Sequence, residues 1–186
     1  MPRIAAAVLL VLLSPVLAVL AVVVWLSMGK PVLFRQGRSG KDGRTFTLVK
    51  FRSMRDASDA AGNALPDEQR LTSLGRLLRR FRLDELPGLW NVVAGDMAFV
   101  GPRPLLPQTI SGLGRTGAER GKVKPGLTGW AQVNGNTLLT LEEKVDLDLW
   151  YVAHANWRLD LSILLLTVGV MMGGERRRSG PLKPLI

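Results

Sequence analysis

The sequence predicts a mostly helical α+β fold behind an N-terminal hydrophobic helix, and three observations carry that expectation. Residues 4–28 are apolar apart from Ser14, Pro15 and Ser27, a stretch long enough to cross a bilayer. Two short strand-like runs follow, with Gly37, Gly40 and Gly43 between them, the pattern of a hairpin. Farther on, apolar residues recur at helical spacing. The organisation expected is a membrane helix over residues 1–29 and one membrane-associated domain over residues 30–186, since 186 residues are too few for two full-sized globular domains.

Charge narrows the choice of partner. The chain holds 25 Lys and Arg against 15 Asp and Glu, a formal net charge of +10, with a pI near 11. That balance suits an anion: a phosphorylated substrate, acidic lipid or nucleic acid. Cysteine is absent and His154 is the single histidine, which excludes disulfides, thiolate sites and histidine clusters. A bound metal is therefore oxygen-ligated, magnesium or manganese.

Within the hydrophobic helix, Pro15 lacks an N–H and crowds the carbonyl four residues earlier, so a kink or break is expected at Ser14-Pro15. Ser14 can bond a freed carbonyl. A bent helix can return to the leaflet it entered and a kinked one can cross; hydropathy alone favours crossing. A cleaved signal peptide fits less well, because the stretch outruns an ordinary h-region and only Arg3 precedes it. The cations Lys30, Arg35, Arg38, Lys41, Arg44, Lys50, Arg52 and Arg55 follow at once. By the positive-inside bias they put the rest of the chain in the cytoplasm, against anionic headgroups.

Residues 31–34 and 45–51 read as strands, residues 56–69 as a loop. Leu71, Leu74, Leu77, Leu78 and Phe81 mark an amphipathic helix starting near Thr72 or Ser73, with Arg76, Arg79, Arg80 and Arg82 at its other positions. Leu86, Leu89, Trp90 and Val93 mark a second helix, with Pro87 in its first turn and Asp84 and Glu85 at its N-terminus. The plain reading of that acidic pair is a helix cap worth about 1 kcal/mol. The preceding arginines, the basic glycine-rich segments after it and the membrane helix favour a functional reading. An Asp beside guanidinium groups is held deprotonated and can attack phosphorus.

Residues 95–104 form a turn, a short strand and an arginine, Arg103, fixed between two prolines. Such an arginine suits a bidentate phosphate or carboxylate, or a structural salt bridge with Asp96. Residues 111–121 read as a basic, glycine-rich loop. Residues 122–135 combine Lys122, Lys124, tight turns and Trp130 as an aromatic plate, suited to a nucleotide's base and phosphates. Residues 141–157 read as an amphipathic packing helix. Residues 159–172 are apolar but too short to span, hence either an interfacial helix or a core helix.

Several long motifs occur together: Ser14-Pro15 in the hydrophobic helix, Pro31-Val-Leu-Phe34-Arg35-Gln36, Lys50-Phe51-Arg52-Ser53-Met54, Leu83-Asp84-Glu85-Leu86-Pro87, Gly95-Asp96-Met97, Gly101-Pro102-Arg103-Pro104, Pro125-Gly-Leu-Thr-Gly-Trp-Ala-Gln-Val-Asn-Gly135 and Asp148-Leu-Trp-Tyr-Val152. In this order the chain resembles the monotopic phosphoglycosyl transferases, the initiating sugar transferases of bacterial glycan assembly, in their small minimal form. The resemblance implies transfer of a sugar 1-phosphate from a UDP-sugar to undecaprenyl phosphate, with release of UMP. It implies a covalent aspartyl-phosphosugar intermediate and a place on the cytoplasmic face of the bacterial inner membrane, at the first membrane step of exopolysaccharide, O-antigen, capsule or glycoprotein assembly. It also implies a re-entrant helix broken at Ser14-Pro15, against the hydropathy preference.

By the same resemblance Asp84 is the nucleophile and Glu85 its partner carboxylate, either a metal ligand or the base that deprotonates the lipid phosphate. Arg79 and Arg103 lie at the phosphates, Lys124, Gln132 and Asn134 join the substrate-binding set, and Mg2+ sits on Asp84 and Glu85. Membrane lipid is a partner, nucleic acid is not, and a homodimer is left open. The chain departs from the pattern at Gly135-Asn136-Thr137, where many members read Gly-Arg-Asn, and at its short Met1-Pro2-Arg3 lead-in; the first leaves the nucleotide-sugar preference undetermined. Two other readings compete: a membrane-anchored basic module that binds lipid, and a metal-dependent phosphohydrolase with water as acceptor. The first needs total charge and not Asp84; the second has no use for a membrane helix.

Overall fold

The computed structural model describes residues 2–58, 63 and 65–177. The first helix, α1 (Pro2–Met28), is long and apolar enough to cross a membrane. Of the kink or break expected at Ser14-Pro15, the break does not occur: the helix continues through Pro15. Ser14 Oγ donates to the Val11 carbonyl at 2.7 Å, the acceptor that Pro15 leaves free, so the helix absorbs the proline. One side of α1 packs along the domain for most of its length. Ala6, Leu10 and Leu13 join Leu89, Val92 and Met97, while Leu17, Ala21 and Val24 join Phe51 and Leu78. On the other side Ile4, Val11, Leu12, Val19 and Leu26 are exposed.

Arg52 ties the end of α1 down. The residue is 6% exposed, and its guanidinium donates to the carbonyls of Met28, Gly29 (2.9 Å) and Lys30 (3.4 Å). A cation on the last carbonyls of a helix satisfies acceptors that lack intrahelical partners and complements the dipole. This corrects the expectation that Arg52 faces lipid headgroups: the helix end uses its charge.

Strands β1 (Leu33–Ser39) and β2 (Thr45–Phe51) form the antiparallel hairpin, with Leu33 opposite Phe51 and Ser39 opposite Thr45. The first strand runs beyond the expected residues because β2 offers a backbone partner that far, and Gly37 sits in the ladder opposite Thr47 instead of turning the chain. The turn is the 3-10 segment Lys41–Gly43. A short α2 (Asp67–Arg70) lies in the stretch expected to be loop, part of which falls outside the described residues. Helix α3 (Ser73–Arg80) starts as expected, with Thr72 Oγ1 accepting from the Gly75 amide at 2.9 Å. Only glycine fits at 75, since a Cβ there would lie 1.8 Å from the Ser53 carbonyl oxygen.

The helix expected to begin at the acidic pair is divided. Arg82 turns the chain at φ 52, a 3-10 segment Leu83–Gly88 follows, and α4 (Leu89–Ala94) begins after it. Pro87 explains the division: an α-helix through Asp84 needs an N–H at 87 for the Leu83 carbonyl, and proline has none. Strand β3 (Ala98–Val100) pairs in parallel with β4 (Gly126–Thr128). A parallel pair needs a crossover, and α5 (Pro107–Gly112) and α6 (Gly114–Arg120) lie in it. They replace the expected glycine-rich loop. Gly117 permits their close contact, since a Cβ there would meet the Ile110 carbonyl oxygen at 2.4 Å.

After α7 (Trp130–Val133) comes α8 (Leu141–His154), opened by a Thr140–Glu143 capping box, then α9 (Trp157–Gly173). Val100, Trp130, Val133, Tyr151, Leu159 and Ile163 form a further core cluster, apart from the two packed on α1. Helix α9 has the buried face expected of a core helix, with Leu159 and Ile163 inside, while Leu161, Leu165, Val168 and Met172 are exposed. The architecture is α+β, mostly helical, with two small sheets.

Candidate active site

Asp84 and Glu85 sit in the 3-10 segment between α3 and α4, close to β2. Asp84 is 5% exposed, and its side chain takes no hydrogen bond or ion pair from the described residues. Burial pushes its pKa above the ordinary carboxylate value and Glu85 adds to the push, opposed by Lys50, Arg79 and Arg103. The sequence expectation was the reverse, that arginines hold Asp84 deprotonated. Desolvation wins because no cation reaches hydrogen-bonding distance of it.

Glu85 is treated differently. Arg103 Nη2 donates to its Oε1 at 2.7 Å, and Arg82 Nη1 lies 3.6 Å from its Oε2. Burial pushes Glu85 up as well, but Arg103 and then Arg82 outweigh it and hold the carboxyl below its ordinary range. Arg103 therefore pairs with Glu85 and not with Asp96, and its side chain remains 41% exposed. Behind it, Arg120 donates to the Arg103 carbonyl and forms a buried pair with Asp148 at 2.7 Å. Burial pushes Asp148 up to about 6, with Arg120 opposing.

Arg79 donates from Nε to Ser53 Oγ at 2.9 Å and acts on Asp84 through space. Lys50, opposite Phe34 in the hairpin, is pushed below the ordinary lysine range by burial, against the pull of Asp84. A cavity of about 40 Å³ opens between Arg38, Lys50, Glu85, Met97, Arg103 and Leu127.

Three residues expected at the substrate make no hydrogen bond or ion pair to Asp84 or Glu85 among the described residues. Gln132 Nε2 donates to the Leu127 carbonyl at 3.1 Å and Asn134 Nδ2 to the Trp130 carbonyl at 2.7 Å, both inside the protein. Lys124 is half-buried, and its carbonyl oxygen would meet a Cβ on Gly101 at 2.3 Å. Trp130, expected as an exposed plate, is 1% exposed and stacks on Trp150. Gln132, Asn134 and Trp130 are thus spent inside the protein, while Gly126 and Leu127 of the same segment line the cavity beside Glu85 and Arg103.

Sequence reasoning missed Lys50, Arg82, the Arg120–Asp148 pair and Glu175. Lys50 carried one signal, a lysine between Val49 and Phe51 in an apolar strand. Arg82 and Glu175, 3.9 Å apart, carried none, since nothing local connects them.

Among the described residues no cluster of three acidic or histidine side chains could hold a metal. Of the acidic pair, Asp84 has the carboxylate that no described residue bonds, which fits magnesium bound by one carboxylate and substrate phosphates. Glu85 fits poorly, because its oxygens face arginines.

A buried, unpaired carboxylate ringed by cations can accept an anionic phosphoryl centre, and known sequences agree with that chemistry. The family model described as bacterial sugar transferase matches residues 1–174. The chain belongs to this family. The transferase is 51% identical over 153 residues to the uncharacterized sugar transferase EpsL of Bacillus subtilis (strain 168), covering 82% of this chain and 76% of that protein. It is 42% identical over 177 residues to the UDP-glucose:undecaprenyl-phosphate glucose-1-phosphate transferase of Escherichia coli (strain K12), covering 88% of this chain and 37% of that one. It is 43% identical over 178 residues to the undecaprenyl-phosphate glucose phosphotransferase of Komagataeibacter xylinus, covering 88% and 34%. The transferase thus spans about a third of the length of the last two relatives.

Proposed function

We propose that this chain transfers a sugar 1-phosphate from a UDP-sugar to undecaprenyl phosphate and releases UMP. The observation that carries the reading is Asp84, a buried carboxylate with no partner among the described residues, beside an arginine-clamped Glu85 and within the field of Lys50, Arg79 and Arg103. The relatives' names give the substrate class.

In the first displacement an Asp84 oxygen bonds to the sugar-bearing phosphorus as the bond to the UMP oxygen breaks, leaving an aspartyl-phosphosugar. In the second, a phosphate oxygen of the lipid bonds to that phosphorus and the Asp84–phosphorus bond breaks. The product is a lipid diphosphosugar with Asp84 restored, hence ping-pong kinetics. Lys50, Arg79 and Arg103 offset the charge of the incoming diphosphate, which also favours the ionised nucleophile. Asp84 is the residue that would hold magnesium, which when bound would supply further charge neutralisation during transfer. Glu85, kept ionised by two arginines, is a weak base and orients Arg103.

Entry of the lipid has support too. An apolar groove of about 1050 Å³ runs between α1, the hairpin and α4, lined by Leu17, Ala21, Phe51, Pro87 and Trp90 among others. Its lining residue Pro87 is three residues from Asp84 along the chain, and a polyprenyl tail suits its walls. Contact of both Ala6 and Val24 with the domain favours a helix that stays on one side of the membrane over one that leaves it. The cations after Met28 favour the cytoplasmic face.

The test is UMP release from a panel of UDP-sugars by detergent-solubilised protein, with and without undecaprenyl phosphate and magnesium, in wild type and Asp84→Asn. Release that needs lipid and metal and is lost in the variant supports the reading and identifies the sugar. Lipid-independent release from wild type points to a phosphohydrolase instead.

A further inference from the structure

Arg82 is unusual among the arginines at this site. It adopts φ 52, a left-handed conformation that costs a residue with a Cβ, two positions before Asp84. Its side chain is 12% exposed, and both terminal nitrogens are buried without a hydrogen-bond partner. The nearest carboxylates, Glu85 at 3.6 Å and Glu175 at 3.9 Å, stand beyond hydrogen-bonding distance. A strained backbone has thus delivered a guanidinium whose donors are unused, and buried donors left unpaired are costly.

Glu175 reaches this place from far along the chain. After α9 the backbone reverses at Gly174, φ 80, and lays the Glu175 carboxylate against the turn after α7. There Asn136 Nδ2 and Thr137 Oγ1 donate to it, as does the Thr137 amide at 3.2 Å. Its charge is felt at Arg103 as well as Arg82. One step farther, Arg177 pairs with Glu143 at the start of α8 through an exposed contact. The segment lies over a cationic site and is tied down by surface bonds that water can replace.

We propose that Arg82 is a further substrate-binding residue, donating to the diphosphate of the nucleotide donor, and that Glu175 is a built-in counter-anion which the diphosphate displaces. This rests on the transferase reading above. A diphosphate supplies the close acceptors that the carboxylates do not, and departure of Glu175 uncovers Arg82. No bond is made or broken beyond hydrogen bonds and ion pairs. Glu175 is a positioning residue that competes for the site; Arg82 touches the ligand.

The test is a double-mutant cycle on UDP affinity, measured by calorimetry on full-length protein in detergent with magnesium chloride. Arg82→Gln weakens UDP binding by about tenfold or more, as expected for a lost charge-assisted bond. Glu175→Gln, which can keep an acceptor for the turn, tightens it several-fold. In the Arg82→Gln background Glu175→Gln has much less effect. Arg82→Lys, which keeps the charge without the fork, gives an intermediate affinity and serves if Arg82→Gln does not fold. A purely structural Glu175 would weaken binding or leave it unchanged, and either result overturns the proposal, as does equal affinity of wild type and the Arg82 variant. So does failure of the wild type to bind UDP. Because affinity is read without turnover, the transferase reading stands or falls separately, on lipid-dependent UMP release and its loss in Asp84→Asn.

Discussion

Replacing Arg103 with Gln separates the two forces on Glu85. In the wild type, burial raises the Glu85 pKa, while Arg103 at 2.7 Å and Arg82 at 3.6 Å bring it below the ordinary value of 4.5. A folded pKa below the unfolded one means stability that is present above pH 4.5 and lost as the pH falls through the folded value. A hydrogen bond to a charged group contributes about 1.5–3 kcal/mol. Arg103 is 41% exposed, so solvent screening puts the contribution at the lower end, about 1.5 kcal/mol. In Arg103→Gln the burial remains and the stronger opponent is gone, so Glu85 moves up and acid unfolding begins at higher pH. Tryptophan fluorescence followed during acid titration in detergent, in parallel with the acid limb of UMP release, reads both effects. Identical acid-unfolding curves for wild type and variant would refute the assignment of Arg103 as the principal stabiliser of ionised Glu85.

Two further outcomes follow from groups outside the pocket. Arg52→Met leaves the last carbonyls of α1 without their donors and is expected to cost about 2–4 kcal/mol in reversible unfolding in micelles; a variant as stable as wild type contradicts the capping role. Asp148 has a folded pKa of about 6 against an ordinary 3.8, so its contribution is full below 3.8 and is lost as the pH rises toward 6. Asp148→Asn removes that slope, and the stability difference between variant and wild type changes by up to about 3 kcal/mol between about pH 4 and pH 7. A difference that stays flat across that range shows that Arg120 holds Asp148 ionised.

Periodicity made some elements legible and hid others. Helices α1, α3 and α8 announce themselves through long apolar repeats or capping residues, and β2 through its β-branched and aromatic run. Helices α5 and α6 do not, because Gly112, Gly114 and Gly117 resemble loop sequence until packing against the crossover is known. Asp84 and Glu85 stood out as an acidic pair after a run of arginines, Arg79 by proximity to them, and Arg103 by the prolines on either side of it. Sequence could not tell which carboxylate an arginine grips: Arg103 takes Glu85 and leaves Asp84 unpaired. Nor could it reveal that Arg52 ends a helix, that Trp130 is core, or that Glu175 returns to Arg82. Each of these depends on a contact between distant parts of the chain, where local pattern carries no information.

The central claim is a covalent intermediate on Asp84, and isotope exchange tests it most directly. Full-length protein is incubated with a UDP-sugar that supports turnover, radiolabelled UMP and magnesium, with undecaprenyl phosphate omitted. Two separate displacements predict that label appears in the UDP-sugar without any lipid, and that Asp84→Asn abolishes the exchange. Exchange that requires the lipid, or that persists in Asp84→Asn, would contradict a covalent phosphosugar on this residue.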